Sequence, residues 1–281
     1  MNDDIVLLDG AETPDTRTGD VAGGGFVAYT CRSPDKTNEN EDTVAIIPYG
    51  PAAAVLIVAD GAGGLPAGKR ASLAAVTALN EALRLSSEKT MMLRTAILDG
   101  IDAANVAVKN LGNGSATTLT VVTIEGTTAR SYQIGDSEAL VVGQRGRIRL
   151  QTTAHSPTGF AVEAGFLDQR EALLHEERHL VSNFLGTPDM RIDIGAEVKL
   201  QARDTVLLAS DGLVDNVHAD EIIERIRKGR LDDSANKLIG LANRRMADAS
   251  SAQPSKPDDL SLILYRRSAA TPATNLTKSD N

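Results

Sequence analysis

Along most of the chain, apolar positions recur in short runs or at alternate residues, and in a few stretches they switch to helical spacing. Phe26 to Cys31, Thr43 to Pro48 and Ala53 to Ala59 read as strands. The third is almost wholly apolar, the pattern of a strand covered on both faces. A helix follows over roughly Ala67 to Leu85, with Ala75, Leu79 and Leu83 at four-residue spacing. A second helix carries Leu93, Ile97, Ile101, Ala104 and Val108 along one stripe, the arrangement of a helix packed on something flat. Strand patterns return at Thr117 to Ile124, Ala129 to Ile134, Ala139 to Val142 and Ile148 to Gln151. A short helix is expected from Asp168, with Glu171 placed to complete a capping box. Beyond it come strands near Arg191 to Ile194 and Thr205 to Ala209, then a helix over about Ser234 to Ala247 that buries Leu238, Ile239, Ala242 and Met246. Leu260 to Tyr265 is the closing strand. Runs of consecutive strands interrupted by pairs of helices lack the strict alternation of a doubly wound fold. They predict an α+β fold, a four-layer αββα sandwich of two mostly antiparallel sheets flanked by helices.

No internal repeat or long linker divides the chain, so one domain is expected over residues 25–267. Residues 1–24, rich in Asp, Thr and Gly and ending in the Gly23 to Gly25 triplet, read as a flexible leader; residues 268–281 read as a polar tail. The 281 residues are 42% hydrophobic, enough for one substantial core. With 38 acidic residues against 29 basic, the formal net charge is −9, which argues against a nucleic-acid partner. The one cysteine, Cys31, can form no internal disulfide. The N-terminus is acidic where a signal peptide would be basic. No apolar stretch approaches the roughly 20 residues of a membrane helix. The expectation is a soluble, cytoplasmic, monomeric protein without a membrane partner.

The candidate chemistry lies in acids at strand ends: Glu41 and Asp42 in NENED, Asp60 in VADGAGG, Asp136 in QIGDSEA, Asp211 and Asp215 in LLASDGLVD, and Asp258 and Asp259 in KPDDLS. A lone Asp-Gly after a strand is usually a turn. Repetition changes the reading, because if the strands lie side by side their ends bring these carboxylates together. Converging anions repel at low dielectric and need a counter-charge. No run of Lys or Arg is interleaved with them. A divalent ion meets that need, and an all-oxygen donor set suits Mg²⁺ or Mn²⁺ rather than zinc.

In order and approximate spacing, NED, DGAGG, GSATTLTVV, GDS, SDGLVD and PDDLSLIL resemble the motifs of the metal-dependent serine/threonine protein phosphatases of type 2C, in their bacterial form. The segment VEAGFLDQREALLHEERHLVSNFLG resembles the stretch that bacterial members carry between GDS and SDG. The resemblance implies the αββα fold and two or three divalent ions. It implies hydrolysis of phosphoserine and phosphothreonine by a metal-activated water, with phosphoproteins of a Ser/Thr kinase as substrates. Asp60 matches the ligand that bridges two ions and Gly61 a backbone carbonyl ligand. Asp211 and Asp258 match ligands of one ion, and these three aspartates are the implied catalytic set. The family pattern selects Asp258 over Asp259. Glu41 and Asp42 match acids that bind metal directly or through water, and Asp136 a ligand of a third ion shared with Asp211.

The chain departs from the family in three places. The arginine that grips the substrate phosphate is replaced by Thr37, leaving Lys36 and Arg32 as candidates; DGHGG has become DGAGG at Ala62; and GDSR has become GDSE at Glu138. These departures motivate an alternative, a catalytically weak pseudophosphatase acting as a scaffold. A haloacid-dehalogenase-type reading is disfavoured, since Asp60 is followed by GAG rather than a second nearby Asp. His175 is expected to serve a helix end or flap, and Arg244 with Arg245 a solvated helix face.

Overall fold

The apolar run Ala53 to Ala59 lies inside a sheet that has helices on one face and a second sheet on the other, so Ala54 through Ala59 are all fully buried. The computed structural model describes residues 5–34, 36–62, 67–89, 91–112, 114–248 and 253–268. The chain runs through β1 (Val6–Asp9), β2 (Asp15–Val21), β3 (Gly24–Cys31), β4 (Asp42–Pro48), β5 (Ala53–Ala62), α1 (Ala67–Glu88) and α2 (Leu93–Leu111). It continues through β6 (Ala116–Thr117), β7 (Leu119–Glu125), β8 (Thr128–Ile134), β9 (Glu138–Val142), β10 (Ile148–Gln151), α3 (Pro157–Glu163) and α4 (Gln169–Leu174). It ends with β11 (Asp193–Ile194), β12 (Val198–Lys199), β13 (Thr205–Ala209), α5 (Asp211–Val214), α6 (Ala219–Ile226), α7 (Leu231–Met246) and β14 (Leu260–Arg267).

One sheet has the order β1-β4-β5-β7-β8-β11, with β6 on β5 and β12 on β8; the other has the order β10-β9-β13-β14-β3-β2. All of these pairings are antiparallel. Apolar side chains collect in three separate clusters, one for each seam of a four-layer sandwich. The stripe of α2 and Ala75, Leu79 and Leu83 of α1 meet Ile57 and Val121 at the first seam. Leu8, Ile46, Leu56, Val206 and Ile263 fill the seam between the sheets. Leu238 and Ala242 of α7 pack on Leu207 and Leu264 at the third. The αββα expectation holds, and among the described residues no helix is long and apolar enough to cross a membrane.

The N-terminal segment departs from its expectation. Residues read as a loose leader form β1, paired with β4, and β2, paired along its whole length with β3. The glycine triplet belongs to the turn and strand start of the β2–β3 hairpin rather than to a linker. Ser268 ends the described chain, and residues 269–281 of the expected tail lie outside the described residues. The Asp168 helix is present as α4 with both capping-box bonds, and His175 caps its C-terminal end. α3, α5 and α6 were not anticipated; none exceeds 8 residues, too few for a periodic stripe to emerge. Ile239 is only partly buried. Arg245 is buried on α7, donating to the Asn216 carbonyl at 2.8 Å and pairing with Glu221, while Arg244 is the exposed member of that pair.

Candidate metal centre

Antiparallel pairing brings the ends of β3, β5, β8 and β13 and the starts of β4, β9 and β14 to one end of the sandwich. Asp42 stands opposite Asp60, Ala209 opposite Glu138 and Leu262, and Leu260 opposite Cys31. A cavity of about 460 Å³ opens there, with Glu41, Asp60, Gly61, Asp136, Asp211 and Asp258 in its lining. Lys36, Ser33, Thr118 and Pro257 complete one side, and His179, Val181 and Phe184, from the segment after α4, form another. Six of the seven residues expected to hold metal therefore share one cavity. The seventh, Asp42, is 1% exposed and stands behind it, next to Asp60 across the ladder.

Backbone contacts fix these positions. The Asp60 carbonyl accepts the Thr118 N–H and the Thr117 hydroxyl, both at 2.8 Å, and the Asp60 N–H donates to the Thr118 hydroxyl at 3.0 Å. That hydroxyl also meets the Ser137 hydroxyl at 2.9 Å, so the GSATT segment joins the Asp60 strand to the GDS turn. The Asp-Gly pairs here are not positive-φ turns. Gly61 and Gly212 are required by close approach: a Cβ on Gly61 would lie 2.2 Å from the Gly68 carbonyl oxygen, and one on Gly212 would lie 2.0 Å from that of Asp259. The first lets α1 press against the Asp60 strand end; the second lets the one-turn helix α5, which carries Asp211, press against the Asp258–Asp259 pair.

Eight carboxylates crowd this region: Glu41, Asp42, Asp60, Asp136, Asp211, Asp215, Asp258 and Asp259. Burial, and then repulsion from neighbouring acids, raises Asp42, Asp60 and Asp136 well above the ordinary carboxylate range. Burial and the Asp211 charge push Asp258 up to about 7 even though the Lys256 ammonium pulls it down. Two isolated lysines meet part of the charge, which no basic run in the sequence had signalled. Lys36 Nζ donates to Asp259 at 2.6 Å and to Glu41 at 2.7 Å. Lys256 Nζ bonds Asp211, reaches Asp215 at 2.9 Å and lies 3.6 Å from Asp258. Burial works against both ammonium groups, but the surrounding carboxylates outweigh it and raise both.

Both side-chain oxygens of Asp42 and Oδ1 of Asp211 are buried without a hydrogen-bond partner among the described residues. The hydroxyls of Ser261 and Ser210 temper the Asp42 charge. They are engaged elsewhere, Ser261 with the Thr30 hydroxyl and Ser210 with backbone carbonyls. Buried anionic oxygens with no donor, in an all-oxygen set with a large excess of acid, fit a hard divalent ion. The ligand atoms are not gathered in advance: among the described residues no group of three His, Cys, Asp or Glu forms a ready metal site.

Residues 35–243 match the family described as Protein phosphatase 2C. The chain belongs to the protein phosphatase 2C family. Protein phosphatase PhpP of Streptococcus pneumoniae is 30% identical over 217 residues, covering 74% of this chain and 87% of that protein. The crystal structure of the Mycobacterium tuberculosis serine/threonine phosphatase PstP/Ppp matches with a TM-score of 0.71 at 27% identity, over 87% of this chain and 98% of that one. The PstP catalytic domain in complex with two manganese ions matches with a TM-score of 0.64 at 25% identity, over 95% of this chain and all of that one.

The phosphatase 2C motifs do not all act at the cavity. Asp258 faces it, as the family pattern selects, whereas Asp259 is 3% exposed and turned toward the loop before β4. Lys36 reaches the cavity wall, but Arg32 does not line it and lies 3.8 Å from Glu12. Sequence reasoning missed Lys256 and His179. The first carries no periodic signal in the polar stretch QPSKPDD; its one cue is standing two residues before Asp258. The second sits in the segment after α4, which no pattern places over the acids.

Proposed function

We propose that the protein hydrolyses phosphoserine and phosphothreonine in protein substrates at a centre of two, or three, Mg²⁺ or Mn²⁺ ions. The observation that carries this reading is the meeting of acids from separate strands at one cavity, with buried carboxylate oxygens that have no hydrogen-bond partner among the described residues. Asp60, with Asp42 behind it, and the Gly61 carbonyl would hold ions on the β5 side; Asp211 and Asp258 would hold them on the β14 side. Glu41 would bind directly or through water, and Asp136 would share a further ion with Asp211. Bound there, the ions lower the pKa of a water and neutralise charge on the phosphoryl oxygens.

The protein's own groups position the ester. Lys36, on the cavity wall, is favoured over Arg32 as the point charge that grips a phosphate oxygen, without the two-pronged grip of an arginine. Val181 and Phe184 supply an apolar rim that limits water, and His179 adds a polar group facing the same space. The substrates fitting this reading are phosphoproteins made by a Ser/Thr kinase. All seven expected ligands are retained at or behind the cavity, which gives the scaffold alternative no support.

The test is hydrolysis of p-nitrophenyl phosphate and a phosphothreonine peptide with Mn²⁺, with chelator, and with Asp60→Asn. Turnover is expected to require the metal and to fall by more than about 100-fold in the variant, as loss of a charge-stabilising group at a reaction centre does. Undiminished turnover in chelator would sink the reading.

A further inference from the structure

Lys256 stands in the middle of the acids that would receive metal. Its Nζ touches carboxylate oxygens of three residues, Asp211, Asp215 and Asp258, on the β14 side of the cavity. The Lys256 backbone is fixed: its N–H donates to the Asn216 side-chain oxygen at 2.7 Å, and its carbonyl accepts from the Asn216 side-chain nitrogen at 2.8 Å. Asn216 is fully buried, and its own carbonyl is held by Arg245. Only the four-carbon stem of the lysine is free to move. The side chain is 20% exposed and borders a second cavity, of about 450 Å³, whose lining includes Glu176, Arg178, His179 and Gln253. The ammonium therefore has an exit with an exposed carboxylate, Glu176, in it.

We propose that Lys256 is a resident cation of this centre, neutralising the Asp211, Asp215 and Asp258 side in the metal-free protein and leaving it before a divalent ion can settle there. The proposal rests on the metal-centre reading above. An ammonium and a divalent ion cannot share the same oxygens, because they repel and because the ammonium directs N–H groups at carboxylate lone pairs, Asp211 among them, that the ion needs. Asp60 and Asp42 are untouched by Lys256, so the β5 side loads without displacing that lysine. Loading is thereby split into a stronger step on the β5 side and a weaker step on the β14 side, weakened by the fraction of molecules in which Lys256 is still in place.

The experiment is calorimetric titration of the full chain with Mn²⁺, comparing wild type, Lys256→Met and Lys256→Arg, with thermal melts of each in chelator and in Mn²⁺. Lys256→Met is expected to tighten the weaker step by on the order of tenfold or more, the scale at which groups touching metal ligands change affinity. It is also expected to lower the melting temperature in chelator while Mn²⁺ restores it. Lys256→Arg keeps the charge and is expected to retain the weaker step. If Lys256→Met does not stay folded in chelator, it is prepared in Mn²⁺ and its ion release to a competing chelator is compared with wild type, where slower or equal depletion decides for or against. Equal affinities in wild type and Lys256→Met overturn the role of Lys256 and leave the metal centre standing. Absence of Mn²⁺ binding in every form overturns both.

Discussion

Asp259 anchors the loop between β3 and β4. Its carboxylate accepts the Ser33 N–H at 2.9 Å, the Glu41 N–H at 2.8 Å and Lys36 Nζ at 2.6 Å. Glu41 and Lys36 are thus set at the cavity by a residue that does not enter it. Taking away one member of a buried ion pair strands the other charge, at a cost of about 3 kcal/mol or more. Asp259→Ala is expected to destabilise the protein by about that amount in urea unfolding, with Lys36→Met in the same chain recovering part of the loss. Full additivity of the two substitutions would show that the pair is not coupled. At this scale the sequence was only partly legible. Adjacent residues entering a strand face opposite ways, so one of Asp258 and Asp259 had to turn from the cavity. Which one did so came from the family pattern, not from alternation. Lys256 was illegible because its partners lie 45 and 41 positions away and its placement depends on the buried Asn216.

Among elements, β1 and β2 carry the sharpest departure from the sequence pattern. β2 reads DTRTGDV and is exposed or half-exposed at every position, an edge strand with no buried face and hence no alternation to detect. Backbone pairing with β3 holds it, and that pairing depends on little in its side chains. β1 has four residues, of which only Leu8 is buried, in the seam between the sheets. By contrast, β4, β5 and β7 announced themselves as apolar runs because both of their faces are covered. Leu8→Ala is expected to cost about 3 kcal/mol, the usual price of a cavity left in a packed core, read from the midpoint of denaturant unfolding. A change below about 0.5 kcal/mol, the range of surface substitutions, would return this segment to the status of a loose leader.

For the whole molecule, the acids make metal-free stability depend on pH. In the unfolded chain these carboxylates lose their protons near pH 4. In the folded protein Asp258 and Glu138 are each pushed up to about 7, mainly by burial, and Asp42, Asp60 and Asp136 are also raised. Between those limits the folded state binds more protons than the unfolded state, so stability falls as pH rises. In chelator, the melting temperature is expected to be higher at pH 5.5 than at pH 8. Saturating Mn²⁺ is expected to raise it most at pH 8, where the ion displaces the fewest protons. A chelated protein that became more stable across that rise would contradict the crowding of uncompensated acids.

The order of strands also bears on how the protein is made. β14, which begins two residues after Asp258, is the last strand among the described residues yet lies between β13 and β3, in the interior of its sheet. During translation, the slot between those strands stays open until the ribosome has released residues 258–267, and Asp258 is delivered together with the strand that fills it. On the proposed reading, a nascent chain that already carries Glu41, Asp60, Asp136 and Asp211 would therefore be silent toward phosphoproteins around it. Asp258, the last of the proposed ligands, would arrive in the same step that closes the sheet.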